Sequence, residues 1–201
     1  TPTLVAVAFT VLVGAVSLSG SAVTFAKLQE LMTGRPLVFP GAQYVSATVL
    51  MAAVVLVVAV AGTGNLLLTV SLAVAGLILG VLLVLPVGGA DVPIVISLLN
   101  AFTGLAVAAG GYVLDNTLLL VAGTLVGASG TILTRLMAQA MGRSVTLILF
   151  GAFVGGSTAG TAGAGDGDRP VRSAGPEDVA VLLSFARRVV VVPGYGLAVA
   201  Q

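Results

Sequence analysis

Two stretches of this sequence hold residues whose types and spacing could do chemistry. The first is GGADVPIVISLLNAFTG, residues 88–104. Asp91 can ionise there. Asn100 can donate and accept at once and does not ionise near neutral pH, so it suits orienting water or gating a path and not carrying a proton. Ser97, Asn100 and Thr103 recur every three residues, so a helix presents them on one face, with Gly104 and Gly111 continuing roughly along it. The bland role for Asp91, ahead of Pro93 at a helix start, is an N-cap. The bland role for Asn100 is to bond neighbouring helices together. The second stretch is Gly194-Tyr195-Gly196-Leu197-Ala198-Val199, a G-x-G-x-x-A/V turn after VVVV (189–192), which reads as a buried strand. In a dinucleotide fold the first glycine makes the tight turn, and the second lets backbone approach a pyrophosphate. The following helix N-terminus supplies free N–H groups and positive dipole. The sixth position is Val rather than Gly, and an ordinary strand–turn–helix would read the same way.

A third set of residues is small. Gly14, Ser17, Ser21 and Thr24 lie on one apolar segment. Gly123, Gly127, Ser129, Gly130, Thr131 and Thr134 lie on another, where Gly123-x-x-x-Gly127 allows close helix contact. Packing is the expected role for most of them, and Arg135 near a helix end can snorkel.

The elements that must hold these residues follow from composition. The chain has 201 residues, 58% hydrophobic and 7% charged, where a soluble domain carries about 25% charged. It is therefore a membrane protein in the main, with the lipid bilayer as its solvent. The net charge of +1 argues against a nucleic-acid partner. There is no Cys and no His, so disulfides, thiolate metal sites and the commonest neutral-pH proton carrier are excluded, and no metal site is expected. Five segments approach the roughly 20 residues a spanning helix needs: 4–25, 44–61, 66–85, 92–114 and 117–141. None alternates in polarity as a barrel strand would. Lys27 and Arg35 fall in the first loop. Counting turns puts the Asp91 loop, Arg143 and the C-terminal region on that same side, which the positive-inside rule makes cytoplasmic; Asp115 falls on the other.

Residues 1–143 read as a membrane helical domain. Residues 144–172 read as a connecting segment, in which 144–154 is apolar but too short to span, followed by a flexible Gly/Ala/Thr/Asp linker. Residues 173–201 read as the opening of a Rossmann-like α/β domain. There Pro176 stands at a helix start, Glu177 and Asp178 suit its positive end, and Arg187 and Arg188 its negative end. TPTLVAVAFTVLVG lacks an initiator Met and a basic n-region, so it reads as a chain entered at a helix and not as a signal peptide. The expectation is part of a longer protein.

The strings GAVSLSGSAVTFAKLQ, GGADVPIVISLLNAFTG, GTLVGASGTILTRLMAQAMGRS and VVVVPGYGLAVAQ, in this order over most of the chain, resemble the β subunit of the proton-translocating NAD(P) transhydrogenases. The resemblance implies a membrane translocase, an oxidoreductase component that couples proton translocation to hydride transfer between NAD(H) and NADP(H). It implies a multi-pass location in the bacterial inner (plasma) membrane with the soluble domain cytoplasmic. NADP(H) would bind this subunit, with Gly194, Tyr195, Gly196, Leu197, Ala198 and Val199 matching the pyrophosphate turn. NAD(H) would bind an α subunit, which carries further membrane helices, in a homodimer of αβ units. Asn100 matches a polar residue of the proton pathway, and Asp91 a carboxylate at the junction with the NADP(H) domain. Gly127, Ser129 and Gly130 match a small-residue patch near that junction. The family's β subunit has further helices upstream, one with a His implicated in proton transfer, and a longer NADP(H) domain. This chain is thus expected to hold only part of the proton path and of the cofactor site. On the residues alone two rivals stay open: a transporter or channel with a nucleotide-sensing tail, and a purely structural membrane subunit.

Overall fold

The computed structural model describes residues 1–146, 148, 175–190 and 194. The chain divides into two units, Thr1–Gly163 and Ala164–Gln201. Among the described residues the first holds five long helices: α1 (Pro2–Leu28), α2 (Ala42–Thr63), α3 (Leu66–Val84), α4 (Val92–Val113) and α5 (Thr117–Ala140). Each is long and apolar enough to cross a membrane. The expected spans match them to within three residues at every end. A helix pairs its own backbone groups, which hydrocarbon cannot do for it.

The helix ends show why the turns fall where they do. Gly64, in the left-handed region, ends α2 with its N–H on Val60 O at 2.8 Å. The Asn65 side chain then accepts from the Leu67 N–H at 2.8 Å and starts α3, so two residues suffice for an antiparallel pair. Asp115, at φ 51°, closes α4 with Asn116 N–H on Gly111 O at 2.8 Å. The Asn116 carboxamide caps α5 through the Leu119 N–H at 3.1 Å.

α1 packs against α2, α3 and α4; α2 lies on α3 and α5 on α4. The α4–α5 seam has almost no side chain between backbones. A Cβ at Gly104 would run into the backbone of Gly127, and one at Gly123 into that of Ala108. The buried apolar residues gather in two places. Val84, Val87, Ile94, Val95, Leu99, Ala138 and Ile148 cluster at the Asp91 end, while Ala8, Val60 and Leu72 lie between α1, α2 and α3. Large apolar side chains such as Leu66, Leu118, Leu125 and Val58 are exposed, as lipid or further helices require.

In the second unit, α6 (Pro176–Phe185) has the expected Pro176 start. The Gly175 N–H donates to Asp178 Oδ2 at 3.0 Å, so Asp178 anchors the first turn. The helix stops two residues short of Arg187. No strand occurs among the described residues. The expected strand is not formed at Val189 and Val190; both are exposed, and a lone strand without a neighbour has no ladder to join. Residues 191–192, the linker and most of 144–154 lie outside the described residues. The Rossmann-like reading therefore gains no strand here.

The glycine seam makes a direct prediction. Gly104→Ala should destabilise the protein by about 1–3 kcal/mol through overpacking, read as an earlier heat-unfolding transition of the detergent-solubilised protein. An unshifted transition would show that the seam can open to admit a methyl group.

Candidate functional site

Asp91 ends a 3-10 turn (Gly89–Asp91) that leads straight into α4. It occupies the N-cap position, yet its carboxylate makes no cap hydrogen bond. It turns instead to Arg143, with Nε 3.0 Å from Oδ1. Asp91 is 1% exposed and Arg143 12%. Oδ1 has no hydrogen-bond partner among the described residues, so this contact is an ionic one and Oδ1 keeps acceptor capacity. The bland N-cap role is therefore not the one the Asp91 carboxylate takes: a fixed cation within ionic reach outcompetes a peptide N–H for a buried carboxylate.

Arg143 is held by the end of α5. Gly142, at φ 63°, reverses the chain, with its N–H on Gln139 O at 3.1 Å and the Arg143 N–H on Ala138 O at 2.8 Å. This paired closure needs a left-handed residue at the turn, which glycine takes at least cost. The sequence GRS thus aims a guanidinium back at the start of α4, across 52 residues of chain.

Lys27 was expected in the first loop. It lies instead in the last turn of α1, 5% exposed. Its Nζ donates to Val84 O at 3.0 Å, Leu85 O at 2.7 Å and Val87 O at 2.8 Å. The signal that could have found it is spacing: Gly20, Thr24 and Lys27 continue the buried stripe of α1 in a three-and-four repeat beyond Val16, its last large buried apolar residue. The first loop is stitched to the same region, with the Gly89 N–H on Gly34 O at 2.9 Å and the Leu37 N–H on Leu85 O at 3.1 Å.

The expected polar face of α4 divides among three surroundings. Ser97 is buried against α5, its Oγ accepting from Thr134 Oγ1 at 3.0 Å. Thr103 donates to Leu99 O of its own helix at 2.9 Å and lines a groove of about 540 Å³ between α1 and α4, together with Thr10, Ser17 and Ser21. Asn100 is exposed on the outer surface of the five helices, and its carboxamide has no hydrogen bond among the described residues. A three-residue step turns 300°, so each successive residue falls back about 60°; over six residues one face becomes three. Gly104 and Gly111, seven and fourteen residues after Ser97, do return to the α5 side and are buried there. Ser17 binds α1 to this region by donating to Leu99 O at 3.1 Å.

The small-residue patch of α5 divides too. Gly127 and Gly130 face α4, where a Cβ on Gly130 would lie 2.9 Å from Ala101 Cα. Ser129 faces outward and bonds Val126 O of its own helix at 3.2 Å. In the second unit Gly194 is exposed, with nothing within 4 Å of where a Cβ would stand. Tyr195, Gly196, Leu197, Ala198 and Val199 lie outside the described residues.

The family profile described as NAD(P) transhydrogenase beta subunit matches residues 1–201. The chain belongs to that family. It is 43% identical over 191 residues to NAD(P) transhydrogenase subunit beta of Rhodospirillum rubrum, covering 94% of this chain and 41% of that one. The same figures hold for the subunit from a strain of that species. The chain thus spans about two fifths of the length of these relatives. The five described helices, each long and apolar enough to cross a membrane, make it a multi-pass membrane protein.

A buried pair of this kind is costly to break from one side. Arg143→Leu strands the Asp91 carboxylate and should destabilise by about 3–5 kcal/mol, whereas Asp91→Leu/Arg143→Leu should lose distinctly less. Heat unfolding of the parent and the two variants side by side checks this; a double variant that loses as much as Arg143→Leu would contradict it.

Proposed function

We propose that this chain is the membrane coupling element of a proton-translocating NAD(P) transhydrogenase. The observation that carries the reading is the Asp91–Arg143 pair, almost fully buried at one end of the bundle where the chain leaves α5. It joins the start of the helix that bears Asn100 to the start of the segment leading to the soluble part. A change on either side is felt by the other through an ion pair that cannot be solvated in place.

In this reading the Asp91 end is cytoplasmic, since it gathers Lys27, Arg35 and Arg143, and the membrane is the bacterial inner membrane. Residues 1–143 form the membrane domain and 144–172 the connection. Residues 173–201 open a Rossmann-like NADP(H) domain whose remainder lies in the longer protein. An α subunit brings NAD(H) and further helices, and two αβ units assemble together. Gly194 is open on its side-chain face, so a pyrophosphate could lie against the backbone there, and the residues fit an NADP(H) turn over 194–199. NADP(H), when bound, supplies the hydride chemistry. Gly194 and Gly196 would bring backbone N–H groups to its pyrophosphate.

Asn100 orients water on the proton route. It lies about 13–14 Å beyond Asp91 along α4, at a depth where a charge is costly and a neutral amide is tolerated. Its outward position supports this reading, because an amide facing hydrocarbon loses its hydrogen bonds. Helices or water from the rest of the protein must cover it. Asp91 and Arg143 sense the state of the NADP(H) domain, and the Gly127, Ser129 and Gly130 patch, where Gly130 lies against Ala101 beside Asn100, carries that state deeper along the α4–α5 seam.

The test uses vesicles bearing the full-length β chain with its α partner, in which NADPH-to-NAD-analogue transfer is followed with and without an uncoupler. The parent should speed up on uncoupling. Asn100→Leu should lose proton-coupled turnover on the order of tenfold while NADPH affinity stays within about twofold. Equal loss of both would assign Asn100 to helix packing, and a parent without hydride transfer would leave the nucleotide-sensing transporter. Separately, Gly196→Val should weaken NADPH binding at least about tenfold by crowding the pyrophosphate, measured by NADPH fluorescence titration; unchanged affinity would move the nucleotide site away from this turn.

A further inference from the structure

Lys27 directs all three of its N–H donors at carbonyls 57 to 60 residues away. Those carbonyls belong to the last turn of α3 and the loop after it. The final carbonyls of a helix have no intrahelical partner and carry its negative dipole end, so an ammonium is the group best suited to them. Burial at 5% exposure makes the arrangement specific, since a buried ammonium needs every proton bonded. Val87, the last of the three acceptors, stands four residues before Asp91. The Asp91 N–H itself donates to Gly88 O at 2.9 Å, so the clamp and the carboxylate share one short backbone segment.

α1 makes a second polar contact with the region of interest. Ser17, ten residues or about 15 Å along the helix from Lys27, donates to Leu99 O, the carbonyl next to Asn100. One helix therefore grips the surroundings of both groups, Asn100 through Ser17 and Asp91 through Lys27.

We propose that Lys27 is a positioning residue for coupling: it fixes the 84–91 segment so that Asp91 meets Arg143, and it ties that pair to the displacement of α1. This rests on the proton-coupled reading above. Loss of the clamp frees the loop, the pair takes up more than one arrangement, and nucleotide state and proton route become independent of each other.

The experiment measures protons moved per hydride transferred in vesicles bearing the full-length αβ protein. The parent is compared with Lys27→Met, Asp91→Asn and the double variant. Lys27→Met is expected to lower the ratio on the order of fivefold, and the double variant to fall no lower than Asp91→Asn alone, since both act on one device. A residue that only stabilises the bundle would lower the unfolding temperature, leave the ratio of the folded protein at the parental value and add independently to Asp91→Asn. Either of the last two results overturns the proposal. Should Lys27→Met fail to accumulate in the membrane, Lys27→Arg decides on the same ratio. Its planar fork cannot turn three donors onto convergent carbonyls, so a ratio about twofold down is expected and a parental ratio overturns the proposal. A parent that transfers hydride without moving protons overturns the functional reading together with this one. A coupled parent with an unaffected Lys27→Met overturns this one alone.

Discussion

The helices of this bundle end with carbonyls that their own ladders cannot pair. The four solutions seen here fix the architecture. α2 ends on Gly64 in the left-handed region, α4 on Asp115 and Asn116, and α5 on Gly142 and Arg143. α3 has no such turn; its last carbonyls, and those of the loop beyond, are taken by the ammonium of Lys27 from another helix. That difference has a consequence. The first three ends are closed locally, whereas the end of α3, where Val87 N–H bonds Val84 O and Leu37 N–H bonds Leu85 O, has its remaining acceptor capacity filled from α1. The loop carrying Asp91 inherits its shape from a tertiary contact.

The two interfaces of α4 differ in kind. Towards α5 the contact is glycine on backbone, with Ser97 and Thr134 bonded across it. Towards α1 the contact runs through Ser17 and a groove whose walls include Thr10, Ser21 and Thr103. Close-packed surfaces resist sliding because each small shift creates overlaps and voids. A hydroxyl-to-carbonyl bond can exchange its acceptor at modest cost. The stiff seam and the adaptable one therefore lie on opposite sides of a single helix.

Much of this was legible in the sequence. The five spans were set by runs of apolar residues and broken by GTGN, LPVGGADVP and LDN, whose Gly, Asn and Asp residues are those that take left-handed or capping positions. What failed was finer than an element. A charge after an apolar run reads as the water boundary, which puts Lys27 in a loop, while the buried stripe of α1 extends beyond its buried apolar residues. Ser97, Asn100 and Thr103 were read as one face because a three-residue repeat looks constant in a string; on a helix it precesses, and only the seven-residue steps to Gly104 and Gly111 hold their direction. The Asp91–Arg143 pair was hidden for another reason. Sequence offered Asp91 a near partner, the α4 N-terminus, and nothing in the order of residues reports a guanidinium returned by a glycine turn 52 positions later. The nucleotide turn is the converse case, legible as a pattern at 194–199 with only Gly194 among the described residues.

These features together constrain how the bundle could move. α4 and α5 share a backbone-to-backbone seam and the Asp91–Arg143 ion pair at one end of it, so they shift as a unit or not at all. α1 holds that unit through polar bonds, at Ser17 to Leu99 and at Lys27 to the approach of Asp91, and through apolar packing of Gly20 against Leu99 and of Val23 against the cluster around it. A rigid pair held by exchangeable bonds has the form of a two-position element, in which repacking is discrete and a small change at one end alters contacts at the other. Asn100 stands on the outer surface of that pair and Asp91 within its end. Rotation of the pair against α1 would change the exposure of the first and the setting of the second in one motion, with no separate path of side chains needed to link them.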